Sequence, residues 1–280
     1  MRRLFLLAPY LMIGLAVAAC GSKSHEEAKA PEAPPPEAAA AAAPAPAADT
    51  AAIEASIANA ERSKEDKDQD VWRRPAEVLT FMELRPGLHA LDYFAASGYY
   101  TELMSRVVGA DGKVVAYNNP EYRKFSEDGP TKRYGNNRLP NVVEVTTPVD
   151  AVTLDPASLD AVLFMQSYHD LYWRPKDGSW PQTDAAKALA QLVPALKPGA
   201  VVVVVDHVAN AGGEPTQTVT DMHRIDPAIL KRDFEAAGLK FDSESQVFAN
   251  PADDHKKKVF DESIRHKTDQ FVLKFQKPKK

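Results

Sequence analysis

The chain is short of cysteine and glycine, with one Cys and 13 Gly among 280 residues. A single thiol closes no internal disulfide and cannot by itself build a thiolate zinc site. The sequence also lacks a Gly-x-Ser-x-Gly elbow, a P-loop and any paired-cysteine motif, which argues against hydrolase, NTPase and dithiol redox chemistry. Surplus positive charge is missing too. The formal net charge is −5 and the isoelectric point about 5.8, so no global basic field exists to hold nucleic acid, and none is expected as a partner. What is present is 44% hydrophobic and 26% charged residues, an ordinary globular balance that excludes collagen, a coiled coil and a wholly disordered chain.

The amino terminus reads as an address. Met1-Arg2-Arg3 precedes the apolar run Leu4 to Ala18, and Val17-Ala18-Ala19-Cys20-Gly21 follows with no acidic residue before the cysteine, the layout of a signal peptide. Small residues before a cysteine at the end of a short apolar run resemble the bacterial lipobox, with Val17 where leucine is commoner. That resemblance implies lipidation of Cys20. With Gly21 next, it also implies residence in the bacterial cell envelope, at the outer membrane facing the periplasm. A plain amino-terminal anchor, or a cleaved signal with an incidental cysteine, is the alternative. The expected organisation is a lipoprotein signal peptide over 1–19, an Ala/Pro-rich disordered tether over 20–52 and a folded domain over 53–280, starting between Ile53 and Val71. Pro31, Pro34, Pro35, Pro36, Pro44 and Pro46 block a continuous helix in the tether. Such a segment extends at roughly 3.1 Å per residue and holds a domain away from a bilayer.

Beyond the tether, strand-length apolar runs alternate with segments of helical period, the pattern of a doubly wound α/β domain with a mostly parallel sheet and helices on both faces. Strands are expected at Leu88 to Phe94, Val114 to Tyr117, Val142 to Thr146, Ala161 to Met165 and Val201 to Val205, with two more in 239–248 and 270–276. Seven strands result. The five consecutive valines 201–205 suit a strand buried on both faces, expected at the centre of the sheet. Helices are expected over Tyr99 to Val108, over Ala185 to Leu196 before Lys197-Pro198-Gly199, and from Asp226-Pro227 to Ala237, closed by Gly238. About twenty residues separate the last two strands, longer than a hairpin needs, which marks a functional or packed loop.

Asp92 at the end of the first strand is followed by the small-residue turn Ala95-Ala96-Ser97-Gly98 and then a helix. Backbone N–H groups in such a turn approach a ligand, and the carboxylate accepts its hydrogen bonds. Here the sequence, with Pro86-Gly87 ahead of the strand, resembles class I S-adenosylmethionine (SAM) dependent methyltransferases from about Arg74 to the end. Asp150-Ala151 is similar to the family's pair after the third strand, whose carboxylate reaches the adenine amine. Asp160 to Leu171 resembles the fourth strand and its loop, and Leu196-Lys197-Pro198-Gly199-Ala200 the turn before the fifth. His223-Arg224-Ile225-Asp226, Glu235-Ala236-Ala237-Gly238 and Asn250 to His255, with Phe260-Asp261 and Lys267 to Phe271, look like a group of predicted bacterial methyltransferases of unknown substrate. The resemblance implies SAM as cofactor, held by Asp92, Phe94, Ala96, Gly98, Asn118, Asp150, Ala151 and Gln166, and a small-molecule or protein methyl acceptor.

The departures matter as much. On the family's acid-x-Gly-x-Gly-x-Gly loop, Phe94 and Ala96 fill the first two glycine positions, and only Gly98 survives. Glycine permits positive φ and close ligand approach. Asn118 stands where the family sets an acid on the ribose. These losses bear on SAM affinity rather than on the fold, and leave two functions open: a SAM-dependent methyltransferase, or a binding or scaffold protein that keeps the fold without catalysis.

His169 lies at the carboxyl edge of the fourth strand, where doubly wound folds place substrates, and is either a general base or a structural hydrogen-bonded residue. Asp92 either contacts ligand or caps the next helix, and Asp150 either contacts ligand or sits in a turn after Pro148. Tyr168, Tyr172, Trp173, His207 and His223 are the candidate substrate contacts, with packing as the other account of Tyr172 and Trp173. No ligand spacing supports a three-histidine metal site, so no metal is expected. Asp253-Asp254-His255 before Lys256-Lys257-Lys258 reads as a solvated, charge-balanced loop.

Overall fold

The computed structural model describes residues 47–279. The expected signal peptide, Cys20 and nearly all of the expected tether lie outside the described residues. The chain is already helical at Thr50: α1 (Thr50–Ala58) starts on an Asp49 cap whose carboxylate accepts from the Ala52 N–H. Next come α2 (Lys64–Arg73), capped by Ser63, and α3 (Pro75–Phe81), which has proline in its first turn.

One seven-stranded sheet follows. Its strands are β1 (His89–Tyr93), β2 (Lys113–Asn118), β3 (Val142–Thr146), β4 (Leu159–Met165), β5 (Leu196–His207), β6 (Lys240–Ser245) and β7 (Gln270–Gln276), in the order β3-β2-β1-β4-β5-β7-β6. The first five run parallel to one another. β7 is antiparallel to both β5 and β6. The expected seven strands are all present. β5 is interior and its valines are buried on both faces, but β4 is the middle strand, because β7 and β6 are added beyond β5. The sequence period cannot distinguish an interior strand from the central one.

Side-chain alternation divides the core into two. Leu91, Tyr93, Val115, Tyr117, Val162, Phe164, Val202 and Val204 face α7 (Ala185–Ala195) and α9 (Pro227–Ala236). Ala90, Val114, Ala161, Leu163, Val201, Val203 and Val205 face α1, α3 and α4 (Tyr99–Val108). Three further helices sit above the carboxyl edge: α5 (Pro120–Phe125), α6 (Gly129–Tyr134) and α8 (Pro215–Met222). This topology brings the ends of β1, β2, β4 and β5 together, and β6 delivers the long connection 246–269 to the same edge, where β7 begins.

Candidate functional site at the carboxyl edge of the sheet

The turn after β1 keeps a glycine-type backbone without glycines. Phe94, Ala96 and Gly98 have φ of 59°, 50° and 82°. For Phe and Ala the left-handed region costs roughly 1–2 kcal/mol per residue. The surroundings enforce it: Asn118 accepts from the Ala96 N–H at 2.9 Å and donates to the Ala96 carbonyl at 3.1 Å. Both ends of that amide are therefore engaged by the turn, where the family pattern sets an acid on the ribose.

The rest of the turn is occupied from within the chain. The Phe94 ring is buried, stacked on Tyr122 at 4.7 Å and on Tyr117 at 5.6 Å, with Trp180 edge-on at 6.2 Å. Outside, Arg133 of α6 donates to the Ser97 carbonyl at 2.6 Å. Gly98 is close-packed too: a Cβ there would meet the Tyr134 ring at 2.7 Å, and one on Gly129 would meet Ser97 at 2.6 Å. The close approach that glycine allows is used by α6. Asp92 accepts from the Thr101 hydroxyl at 2.6 Å, and burial pushes its pKa up to about 6 against that bond. Asp150 and Ala151 are exposed in a short turn after β3. Gln166, with φ of 54°, donates to Gln270 at 2.8 Å.

Next to this turn lies a buried ionic cluster. His169 and Asp170 are consecutive residues of the 3-10 turn Tyr168–Leu171 after β4. His169 Nδ1–H donates to Asp206 Oδ1 at 2.7 Å, its backbone N–H donates to Asp206 Oδ2 at 2.9 Å, and its Nε2 is 3.3 Å from Asp170 Oδ1. The Tyr122 hydroxyl donates to the other oxygen of Asp170. Burial by itself would lower the His169 pKa, but the carboxylates of Asp170 and Asp206 prevail and raise it to about 9. At neutral pH the ring therefore carries both protons, which leaves no lone pair for the expected general base. Burial presses Asp206 the other way, yet the His169 charge and three N–H donors hold it below the usual carboxylate range.

His223, the carboxyl cap of α8 with φ of 50°, packs edge-on to His169 at 5.5 Å. Burial, reinforced by the His169 charge, pushes its pKa down to about 3, and its buried Nδ1 has no hydrogen-bond partner. His207 pairs with the Thr268 hydroxyl at 2.8 Å and is pushed down to about 3, chiefly by burial.

Beside the cluster is a cavity of about 140 Å³ lined by Trp72, Arg73, Gln166, His207, Phe248, Phe260, Arg265 and Gln270, among others. His207 and Phe260 link the two, being in ring contact with His169 and His223 respectively. The roof is the 246–269 connection. Arg224, fully buried, ties it down by donating to the carbonyls of Val208 and Lys257 and pairing with Asp253 at 2.8 Å. The loop expected to be solvated thus holds a buried ion pair at Asp253. Asp253 is balanced by an arginine from a different element, whereas Asp254 and Lys256 to Lys258 are exposed as expected, with Asp254 4.0 Å from Lys256.

The remaining expected contacts divide. Trp173 packs on His223 at 5.0 Å, beside the cluster. Tyr168 is wholly buried, and both Tyr168 and Tyr172 donate to Asp233 of α9, on the core side. Asp206, Tyr122, Trp180 and the Arg73–Arg265 pair were not expected. Asp206 carried a signal, since it ends the valine run at the sheet edge. Tyr122 and Trp180 carried none, being brought in from separate loops.

No protein-family model and no curated protein sequence matches the chain. Among solved structures it is similar to a SAM-dependent methyltransferase from Aquifex aeolicus, with 18% identity over 82% of this chain and 98% of that one, and a TM-score of 0.55. It is also similar to SpnF, described as a 4+2 cyclase, with 16% identity over 79% of this chain and 86% of that one, and a TM-score of 0.51. The chain has the class I methyltransferase fold.

Proposed function

We propose that this chain is a binding protein of the bacterial envelope that keeps the methyltransferase fold without SAM chemistry, takes a small anionic ligand at the carboxyl edge, and is tethered by a lipid on Cys20. The observation that carries this reading is the filled turn. Asn118 is bonded both ways to Ala96, the Phe94 ring occupies the space beside it, and Tyr134 lies on Gly98. Fold does not dictate chemistry, and SpnF bears the name of a cyclase. An anion suits the neighbouring cavity because Arg73 and Arg265 both face it, and their charges, after burial, favour neutral His266. Trp72 and Phe248 offer an apolar wall for the body of such a ligand.

Calorimetric titration of the full chain with SAM tests this. No binding heat is expected for the parent, and Phe94→Gly with Ala96→Gly should gain affinity by emptying the turn and relieving its strain. One observation favours the methyltransferase alternative: φ is positive at 94, 96 and 98, so the turn has the backbone that glycines would adopt. SAM binding by the parent would establish that alternative and overturn ours.

The tether is tested separately. Cys20→Ala should abolish incorporation of labelled fatty acid and the accompanying mass shift. Equal labelling of parent and variant, or none in either, would remove the lipid anchor from the proposal.

A further inference from the structure

We infer that His169 Nε2, Asp170 and His223 Nδ1 form a binding site for a divalent first-row cation, of which Zn²⁺ is the natural occupant. The ligand atoms of these three buried residues all lie within 4.8 Å of one another. Two imidazoles and one carboxylate are a donor set that zinc accepts, with coordination positions left over for water or a ligand.

Two features of the surroundings favour a cation over a merely structural cluster. The first is the free nitrogen: His223 is 7% exposed, and its Nδ1 is buried without a partner 4.0 Å from Asp170 Oδ1. An unmet buried polar atom is destabilising unless something coordinates it. Second, the outer partners are already in place. Asp206 holds the far nitrogen of His169, and the Tyr122 hydroxyl holds the far oxygen of Asp170. A carboxylate on the second nitrogen of a metal-ligating histidine fixes its tautomer and raises its basicity.

Coordination through His169 Nε2 releases the proton of that nitrogen to solvent, and no other atom is exchanged. His207 and Phe260 join the cluster to the cavity, so the cation site adjoins the cavity where the anionic ligand is proposed. The cation site does not depend on that reading, nor on the fate of SAM.

The test is metal titration of the full chain with zinc chloride, followed by calorimetry and by metal analysis after dialysis. One Zn²⁺ per chain is expected. His223→Gln and Asp170→Asn should each weaken binding by more than about 100-fold, and Asp206→Asn, acting only through His169, by about 10- to 100-fold. His255→Gln is the control: it pairs with Asp269, outside the cluster, and should leave zinc binding unchanged.

His223→Gln removes no existing hydrogen bond of Nδ1, so its melting temperature without metal should stay near the parent's. Cobalt(II) provides a readout on the unmutated chain, because a low-coordinate nitrogen and oxygen site gives intense visible bands. Absence of stoichiometric zinc and of cobalt bands in the parent would overturn the inference. So would binding that survives both His223→Gln and Asp170→Asn, since the metal would then sit elsewhere.

Discussion

Arg224→Met is expected to lower the unfolding free energy by about 3–5 kcal/mol, the range for removing one partner of a buried ion pair. Arg224 and Asp253 are 0% and 1% exposed at their side chains and 2.8 Å apart. Without the guanidinium, Asp253 would stay buried with only the backbone N–H groups of Asp269 and His255 to hold its charge. The carbonyls of Val208 and Lys257 would lose their donor as well. Urea unfolding monitored by circular dichroism should show a lower midpoint. The double variant Arg224→Met with Asp253→Leu should recover much of the loss, because breaking the pair leaves a buried charge and removing both members does not. A single-variant loss under about 1 kcal/mol, the range of exposed pairs, would show that Arg224 does not fasten the roof of the cavity.

Asp92→Asn should stabilise the protein at pH 7.5 by about 3 kcal/mol. The native carboxyl titrates at about 6 because it is buried, against an ordinary value of 3.8, and each tenfold change in proton affinity is worth about 1.4 kcal/mol. The sign follows from proton occupancy. Between pH 4 and 6 the native state holds a proton that the unfolded chain has released, so stability falls as pH rises through that window. Above it the full penalty applies, and below it there is none. Asparagine is uncharged throughout and can still accept from Thr101. The gain in melting temperature should therefore be large at pH 7.5 and vanish near pH 4. An equal gain at both pH values would mean that it does not come from removing the buried Asp92 charge.

How much of this was legible varies by element. β1, β2, β4, β5 and the helices α4, α7 and α9 were readable because each buries a stripe or run of apolar residues, and β3 from its valines although none of its residues is fully buried. α2 was not. Its sequence KEDKDQDVWR has almost no apolar face, and it is held by charge: Arg62 pairs with Asp70 and Arg133 with Asp66, from other segments. α5 and α6 are single short turns whose Pro120 and Pro130 read equally well as loop residues.

The site shows the same division. His169, His207 and His223 were recognisable as histidines near one sheet edge, and the departures at Phe94, Ala96 and Asn118 were visible against the family pattern. Their consequence was not visible. A sequence reports that glycine is missing, but not that an asparagine 22 residues on clamps the turn it left.

The sequence by itself determined the α/β alternation, the number of strands and the edge at which chemistry would gather, because those follow from periodicity and chain direction, which are local properties. The tertiary structure alone decided that Asp206 grips His169, that Tyr122 reaches Asp170, that His223 keeps an unmet nitrogen beside them, and that Arg224 pins the 246–269 connection. Each of these is a meeting of side chains from distant segments, and burial at the meeting point sets their charge states. No local pattern encodes either the encounter or the dielectric in which it occurs.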